Sequence, residues 1–467
     1  MRNPKKTAYL QAGIGIFIAF NRLKFMIRRI EKIFMLFAFI FVSMSTSAQN
    51  GTYGAYSPYS IYGIGDISKE GTAYNKSMGG VGIASRNRRF INFTNPAAVT
   101  ARDTLAFMAD FGITEKNTLF SQGDIRSAKN TFNVYDFIMS FPIWRSSAFM
   151  VGITPYSDVG YDFSHIETDK DIIGHTGNIK YDSYGSGSIY QIFLGAGATF
   201  WKRLSVGAEV IYYFGNIDKV TNMDYTNSSY RSINSGNELT VRGATGKFGM
   251  QYEQKLGGNV SMVVGATYKL GTNLRGYSTT YRYANQSSVS DTLKYKVDTL
   301  QKTGLRFGDE LGVGISIKGG EKWSAEFNYI RSDWRRSGFD SASGFAVNGN
   351  MNFSSTVSQS FRAGFEIVPN RNDIRYYLKR CAYRAGVYYD QEYYKVNGNS
   401  IHTYGITLGV TLPVFRWYNG ISIGVDFGQR AYNPKFQNNQ NIIREQYVAF
   451  NLGFNIHDIW FQKPRYN

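Results

Sequence analysis

Five charged side chains interrupt otherwise apolar, alternating runs: Glu209 between Val206/Ala208 and Val210/Tyr212, Lys269 beside Tyr268 and Leu270, then Lys318, Glu326 and Asp426. An Arg or Lys facing hydrocarbon at mid-depth costs about 2–4 kcal/mol, so if these runs cross a membrane their register must turn the charges inward. Both signs are present, which suits salt bridges that hold a wall and argues against a strongly ion-selective pore. A second basic group, Arg86-Asn87-Arg88-Arg89, offers guanidinium forks. Such forks match a ligand carboxylate, or they pair with lumen acids such as Glu209. Asp158, Asp162, His165, Glu167, Asp169, Asp171 and His175 crowd one segment whose oxygens suit Ca²⁺, but without EF-hand spacing a solvated loop is the expectation. The four histidines, His165, His175, His402 and His457, are too scattered for a metal centre. Gly185-Ser186-Gly187-Ser188 lacks the Gly-x-Ser-x-Gly pattern of a nucleophile elbow. No enzyme, cofactor or metal site is expected.

The elements that must position these charges are strands. From Gln446 to Ile456, Val448, Phe450, Leu452, Phe454 and Ile456 fall on one face, with Tyr447, Ala449, Asn451, Gly453 and Asn455 on the other. Ile421, Ile423, Val425 and Phe427 alternate with Ser422, Gly424, Asp426 and Gly428, and Ile406, Leu408, Val410 and Leu412 with Thr407, Gly409 and Thr411. A lipid-out, water-in transmembrane β-strand has this pattern. A soluble sandwich seldom keeps one face so apolar and the other so small and polar over neighbouring strands.

Composition agrees. Gly 49, Tyr 35 and Phe 34 against Pro 9, over 467 residues, describe many turns and aromatics. Met26–Lys32 reads as a basic n-region, Ile33–Met44 as an apolar h-region and Thr46-Ser47-Ala48 as a cleavage site, so residues 1–48 are expected to be a signal peptide with its true start at Met26. Those residues hold eight Lys/Arg and one acid, which leaves the mature chain a net charge of +11. That excess suits anionic outer-membrane lipid and lipopolysaccharide head groups, or solvated loops. Nucleic acid is not an expected partner for an exported chain without a basic recognition module. Cys381 is the single cysteine, so no intramolecular disulfide forms.

Period-two runs and turn signals place strands near 104–114, 131–142, 146–157, 187–200, 203–220, 237–255, 259–281, 304–318, 322–336, 350–367, 378–396, 401–413, 419–432 and 444–457, fourteen in all. Short links (143–145, 201–202, 255–258, 319–321, 368–377, 414–418) alternate with long ones (115–130, 158–186, 221–236, 282–303, 337–349), and the links at 397–400 and 433–443 fall with the long class. This is the pattern of an even-stranded antiparallel barrel, residues 104–467, with both termini in the periplasm of a Gram-negative cell.

Residues 49–103 do not alternate. They contain Ser57-Pro58-Tyr59-Ser60-Ile61-Tyr62-Gly63-Ile64-Gly65-Asp66, Met78-Gly79-Gly80-Val81-Gly82 and Asn95-Pro96-Ala97. Glycine and Asn-Pro favour an irregular, tightly turned segment, and about fifty such residues bury little alone but make sense inside a surrounding wall. Together with Pro155-Tyr156-Ser157-Asp158-Val159-Gly160-Tyr161, Tyr184-Gly185-Ser186-Gly187 and the Asp458-Ile459-Trp460-Phe461 ending, these motifs resemble the FadL/TodX-type outer-membrane transporters, in a divergent branch of that family. The resemblance spans residues 57–461 and implies an N-terminal hatch shaped and gated by Gly79, Gly80, Gly82, Asn95, Pro96 and Ala97. It also implies a kinked third strand that opens the wall sideways, which falls here at Pro155 flanked by Gly152 and Gly160. The expected function is passive uptake of hydrophobic small molecules, fatty-acid-like or aromatic. The alternative is an accessory or shuttle barrel that binds partner proteins, such as those of a secretion system.

Overall fold

The computed structural model describes residues 54–103, 106–144, 146–227, 229–286, 289–342, 353–415, 419–432 and 443–459. The expected signal peptide, part of the 337–349 and 433–443 links, and Trp460-Phe461 lie outside the described residues. Among the described residues fourteen antiparallel strands form the wall: β1 (Ala106–Gln122), β2 (Ile125–Trp144), β3 (Ser147–Ile166), β4 (Ile179–Phe200), β5 (Leu204–Tyr225), β6 (Ser232–Gly257), β7 (Val260–Lys269), β8 (Asp309–Gly319), β9 (Trp323–Asp333), β10 (Val357–Ile367), β11 (Ala382–Val396), β12 (Asn399–Phe415), β13 (Asn419–Tyr432) and β14 (Arg444–Ile459). The sheet closes where β14 pairs β1, from Ala106↔Ile459 to Ser121↔Arg444, so both ends of the wall meet at the rim of short turns. No helix among the described residues is long and apolar enough to cross a membrane. The crossing is made by strands, whose backbone groups satisfy one another.

The alternation seen in the sequence is the alternation of the wall. Phe450, Phe454 and Ile456 are exposed on the outside while Asn451 and Asn455 are buried, and Phe248, Met250 and Tyr252 on β6 alternate with buried Lys247 and Gln251. Glu209, Lys269 and Glu326 all turn inward and are buried.

Several strands run further at the long-loop end than hydropathy indicates. The 115–130 segment is not a loop: β1 and β2 continue to a turn at Gly123, whose φ of +58 suits glycine. Along Glu115–Thr118 and Lys129–Thr131 both faces are polar, so the apolar signal fades while the ladder persists, helped by Asn130 Nδ2 donating to Glu115 Oε1 and Asn117 Oδ1, each at 2.8 Å. The 158–186 segment likewise holds the rest of β3, a helix at Lys170–Thr176 and the start of β4. β7 breaks after Lys269 and resumes as Arg275–Gln286 along β6, which then folds back as Val289–Thr299.

Residues 54–103 fill the lumen as a plug. Space comes from a belt of inward glycines. A methyl on Gly249 would stand 2.0 Å from Asn95 Oδ1, on Gly207 2.4 Å from the Pro96 carbonyl carbon, and on Gly265 2.2 Å from Ile83 O. On Gly364 it would meet Met78 O at 2.4 Å, on Gly386 Gly79 N at 2.3 Å, and on Gly453 Ala73 Cβ at 2.4 Å. The small inward face that suggests a water-lined lumen is filled by plug backbone instead. At the long-loop end, Tyr62, Tyr156, Tyr213, Phe307, Trp334, Phe353, Tyr393 and Tyr394 pack into one buried aromatic cluster, with neighbouring rings 4.7–5.9 Å apart, as between Tyr156 and Tyr213 and between Phe353 and Tyr394.

Candidate functional site: a wall opening and the charged chamber behind it

β2 and β3 pair only from Trp144↔Ser147 to Phe137↔Ile153. Above that point β2 pairs β1 alone among the wall strands, and β3 pairs β4, so the wall is parted along the upper halves of two neighbouring strands. Pro155 sits where the parting begins. Its missing N–H cannot join a ladder, and a bulge lies between Pro155↔Tyr190 and Ser157↔Ile189, with Tyr156 the extra residue. β3 does not end at this proline but continues to Ile166. Gly152, just below, lies against Phe193 and Ile138, where a methyl would meet them at 2.6 and 2.9 Å.

The plug lines the inside of the parting. Asp66↔Asp158 and Ile67↔Ser157 form a short antiparallel ladder on the freed β3 edge. Ser68 N–H donates to Tyr156 O (2.9 Å) and Ser57 N–H to Gly160 O (2.8 Å), and Ser60 Oγ also bonds Gly160 O (3.1 Å). The edge of β2 from Ile125 to Asp136 has no ladder partner on that side among the described residues. Exposed apolar side chains rim the parting: Ile125 (73% exposed) and Phe132 (54%) on β2, Phe163 and Ile166 on β3.

Behind the opening lies a chamber of about 310 Å³. Its lining includes Asp66, Lys69, Glu70, Asp390, Asp426 and Arg430, and these same groups fasten the plug. Lys69 Nζ lies 3.5 Å from Asp390 and 4.0 Å from Asp426, with its ammonium 3.1 Å from the centre of the Tyr388 ring. Glu70 spans Lys247 (2.6 Å) and Lys269 (3.3 Å), and Lys269 also meets Glu310 at 3.3 Å. Arg430 reaches Asp66 at 2.8 Å and Glu392 and Glu445 at 3.4 Å. Lys219 Nζ donates to Ile61 O (2.6 Å) and Gly63 O (2.9 Å), capping two plug carbonyls from β5. Burial alone would push the Glu70 carboxyl up, but the two ammonium groups hold it at about 2. Burial lowers the Lys76 ammonium to about 8, against the pull of Asp136.

The plug residues singled out in the sequence are seated against the wall. Gly79 N–H donates to Thr407 Oγ1 at 2.7 Å, with φ of +73 and wall carbonyls of Val387 and Ala363 where a side chain would be. Gly80 lies under Arg362, and Gly82 against Thr94 and Asn75 within the plug. Asn95 caps the turn Pro96–Thr100 by accepting from Ala97 N (3.0 Å), and its amide donates to Ile83 O at 2.7 Å and Met250 O at 3.3 Å. Pro96 and Ala97 are buried against Gly207 and Gly249.

The arginine group does not meet Glu209. Arg86 pairs with Glu253 (3.4 Å) and bonds Ser205 and Gln251, and Arg89 pairs with Glu321 (3.3 Å), while Arg88 is exposed. The partners lie toward the short-turn rim, whereas Glu209 stands cross-strand from Lys247, nearer the middle of the wall. Asp158 is likewise not part of an outer acidic loop: it faces the lumen and accepts from Ser188 (2.7 Å) and Ser68 (3.1 Å). The residues that sequence reasoning missed are Lys69, Glu70, Asp390 and Arg430. Lys69 and Glu70 stand in an irregular segment where no period marks a direction, and Asp390 and Arg430 were simply two charges on polar faces.

A family model named BamG matches residues 26–467. The chain belongs to the BamG family. A search of curated proteins finds no relative of this member. Its fold is shared with solved outer-membrane channels at low identity. CymD, a monoaromatic hydrocarbon channel, superposes with a TM-score of 0.56 at 14% identity, over 85% of this chain and 100% of the other. The toluene transporter TbuX of Ralstonia pickettii gives 0.55 at 14%, over 83% and 98%. The P. putida toluene transporter TodX gives 0.55 at 13%, over 85% and 100%. This BamG-family chain is therefore an outer-membrane β-barrel with the plugged, fourteen-stranded FadL/TodX architecture.

Proposed function

We propose that this BamG-family barrel is an accessory component of an outer-membrane protein assembly, one that binds a partner polypeptide while its own lumen stays closed. The observation that carries this reading is the parted wall with a charged interior. Hydrophobic ligand sites are lined mostly by apolar and aromatic side chains. The chamber behind this opening mixes aromatic side chains such as Phe93, Tyr156, Trp334 and Tyr393 with six charged ones, Asp66, Lys69, Glu70, Asp390, Asp426 and Arg430, and the charged groups are already engaged in fastening the plug. The opening does offer a polypeptide something to pair with: the edge of β2 over Ile125–Asp136, which has no ladder partner on that side among the described residues and is flanked by exposed Ile125 and Phe132. An extended segment adding to that edge would satisfy its backbone groups and cover the apolar rim, the mode known as β-augmentation. Membership in a family with its own model agrees with this, because one fold hosts several functions. With both wall ends at the short-turn rim, we place that rim in the periplasm and the long extensions outside. The test is Phe132→Asp, a surface change that leaves the β1–β2 ladder intact. Loss of the co-purifying partner at equal outer-membrane level supports the reading, and full retention removes β2 from it.

A second reading has its own observation. The parting at Pro155 lies in the third strand of a fold shared with solved hydrocarbon channels, and it reaches down to Phe137, part-way along the lipid-facing span. Passage of hydrophobic small molecules through the wall follows if the Asp66–Ser68 strap moves away from β3. The plug residues Gly79, Gly80, Gly82, Asn95, Pro96 and Ala97 would then shift as a gate. A disulfide between Ile67→Cys and Ser157→Cys, which face each other in the short ladder, separates the two readings. It abolishes hydrophobic uptake under the second and leaves partner binding intact under the first.

A further inference from the structure

Two arginines stand opposite each other on the outside of the barrel. Arg242 of β6 and Arg275 of the upper segment beside it are cross-strand partners, both exposed. Directly opposed like charges destabilise a sheet, and neither guanidinium has an acid or hydrogen-bond partner among the described residues, whereas nearby Arg306 is paired with Asp309 at 3.4 Å. All three line one external groove of about 800 Å³, with Tyr212, Tyr277 and Gln301.

The groove has a defined height. On β6 the outward row runs Tyr252, Met250, Phe248, and Arg242 follows ten residues above Tyr252. Roughly 9–11 residues of a tilted strand cross the hydrocarbon layer, so Arg242 sits where the apolar belt gives way to head groups. Leu270 and Tyr212, 42% and 45% exposed, continue the belt immediately beneath the arginines.

We propose that Arg242 and Arg275, with Arg306, bind the phosphate of a phosphorylated glycolipid in the outer leaflet, its acyl chains lying along Phe248, Tyr268 and Leu270. An anion between the two guanidinium groups turns their mutual repulsion into two charge-assisted contacts. The lipid is favoured over a soluble phosphate because the groove is continuous with the lipid-facing belt. The assignment rests on the long-loop rim facing the outer leaflet, and it is independent of the partner-binding reading.

The test uses the full mature barrel in mild detergent, with bis-phosphorylated lipid A titrated and bound lipid counted by native mass spectrometry. Wild type retains the lipid, and R242Q/R275Q binds about tenfold or more weakly, as expected for loss of two charge-assisted hydrogen-bond donors. Lipid A stripped of its phosphates binds both proteins with the same low affinity. R126Q/K294Q removes two exposed charges elsewhere and binds like wild type. Heat-modifiable electrophoretic mobility confirms that every variant is folded. Equal lipid retention by R242Q/R275Q overturns the proposal, as does an equal loss in R126Q/K294Q. Displacement of the lipid by millimolar inorganic phosphate assigns the groove to a soluble anion and overturns the lipid assignment.

Discussion

Gly386→Ala tests how tightly the plug is seated. Gly386 lies on β11 between its cross-strand partners Gly364 of β10 and Thr407 of β12, facing the lumen, and a methyl there would stand 2.3 Å from Gly79 N, 2.3 Å from the Met78 carbonyl carbon and 2.7 Å from Met78 O. All three are backbone atoms, so no side chain can swing aside. Ordinary contact needs at least about 3.4 Å, and the plug must move by about 1 Å at the point where Gly79 N–H bonds Thr407. Overpacking of this kind costs about 1–3 kcal/mol, and loss of the Gly79–Thr407 bond adds about 1 kcal/mol. The β10–β11–β12 ladder is untouched, so the barrel itself remains folded and heat-modifiable. Hydrogen exchange over residues 73–85 should therefore quicken by roughly tenfold or more, since 1.4 kcal/mol is a factor of ten in an opening equilibrium. Gly174→Ala, with nothing within 4 Å of its methyl, is the matched control. Exchange over 73–85 equal in the two variants would refute the glycine-belt account of plug seating.

Glu70→Gln removes the carboxylate that bridges buried Lys247 and Lys269, leaving Glu310 on Lys269 and Glu209 cross-strand from Lys247, and breaking one partner of a buried pair costs about 3–5 kcal/mol; faster exchange of the plug with an intact barrel is expected. In the wild type the Glu70 carboxyl is held down at about 2, so its contribution is fully present above about 4.5 and falls away as pH drops from there through 2. The free energy of plug opening, read from exchange between pH 6 and pH 2.5 after division by the intrinsic amide rate, should fall below pH 4.5, and Glu70→Gln should flatten that fall. Asn95→Ala removes the cap of Pro96–Thr100 and the amide bonds to Ile83 and Met250, and should lower thermal stability by about 1–2 kcal/mol as read by denaturation of the purified barrel.

Much of the wall was legible in the sequence because lipid and lumen impose opposite chemistries on alternate residues. Val448, Phe450 and Leu452 against Asn451 and Gly453 show this directly, and so do the inward charges Glu209 and Lys269. Strand ends were not legible at the long-loop rim. Beyond the lipid, Glu115 to Thr118 and Lys129 to Thr131 are polar on both faces, so the ladder that runs on through them to Gln122↔Ile125 leaves no period in the sequence. The plug was visible as a break in alternation, but its fastenings were not. Lys69 and Glu70 meet residues more than 170 positions away, and no local period records such pairs. The recurrent inward glycines, Gly207, Gly249, Gly265, Gly364 and Gly386, carried that information unread: small residues on a lumen face signal close backbone approach as readily as water.

We propose that this barrel binds a protein at its parted wall while its plug keeps the lumen closed. Native mass spectrometry of the protein extracted from its own outer membrane in mild detergent tests it most directly. A stoichiometric complex with another polypeptide, released by Phe132→Asp and free of bound apolar small molecule, is the predicted result. A solitary barrel that retains a hydrophobic ligand would contradict it.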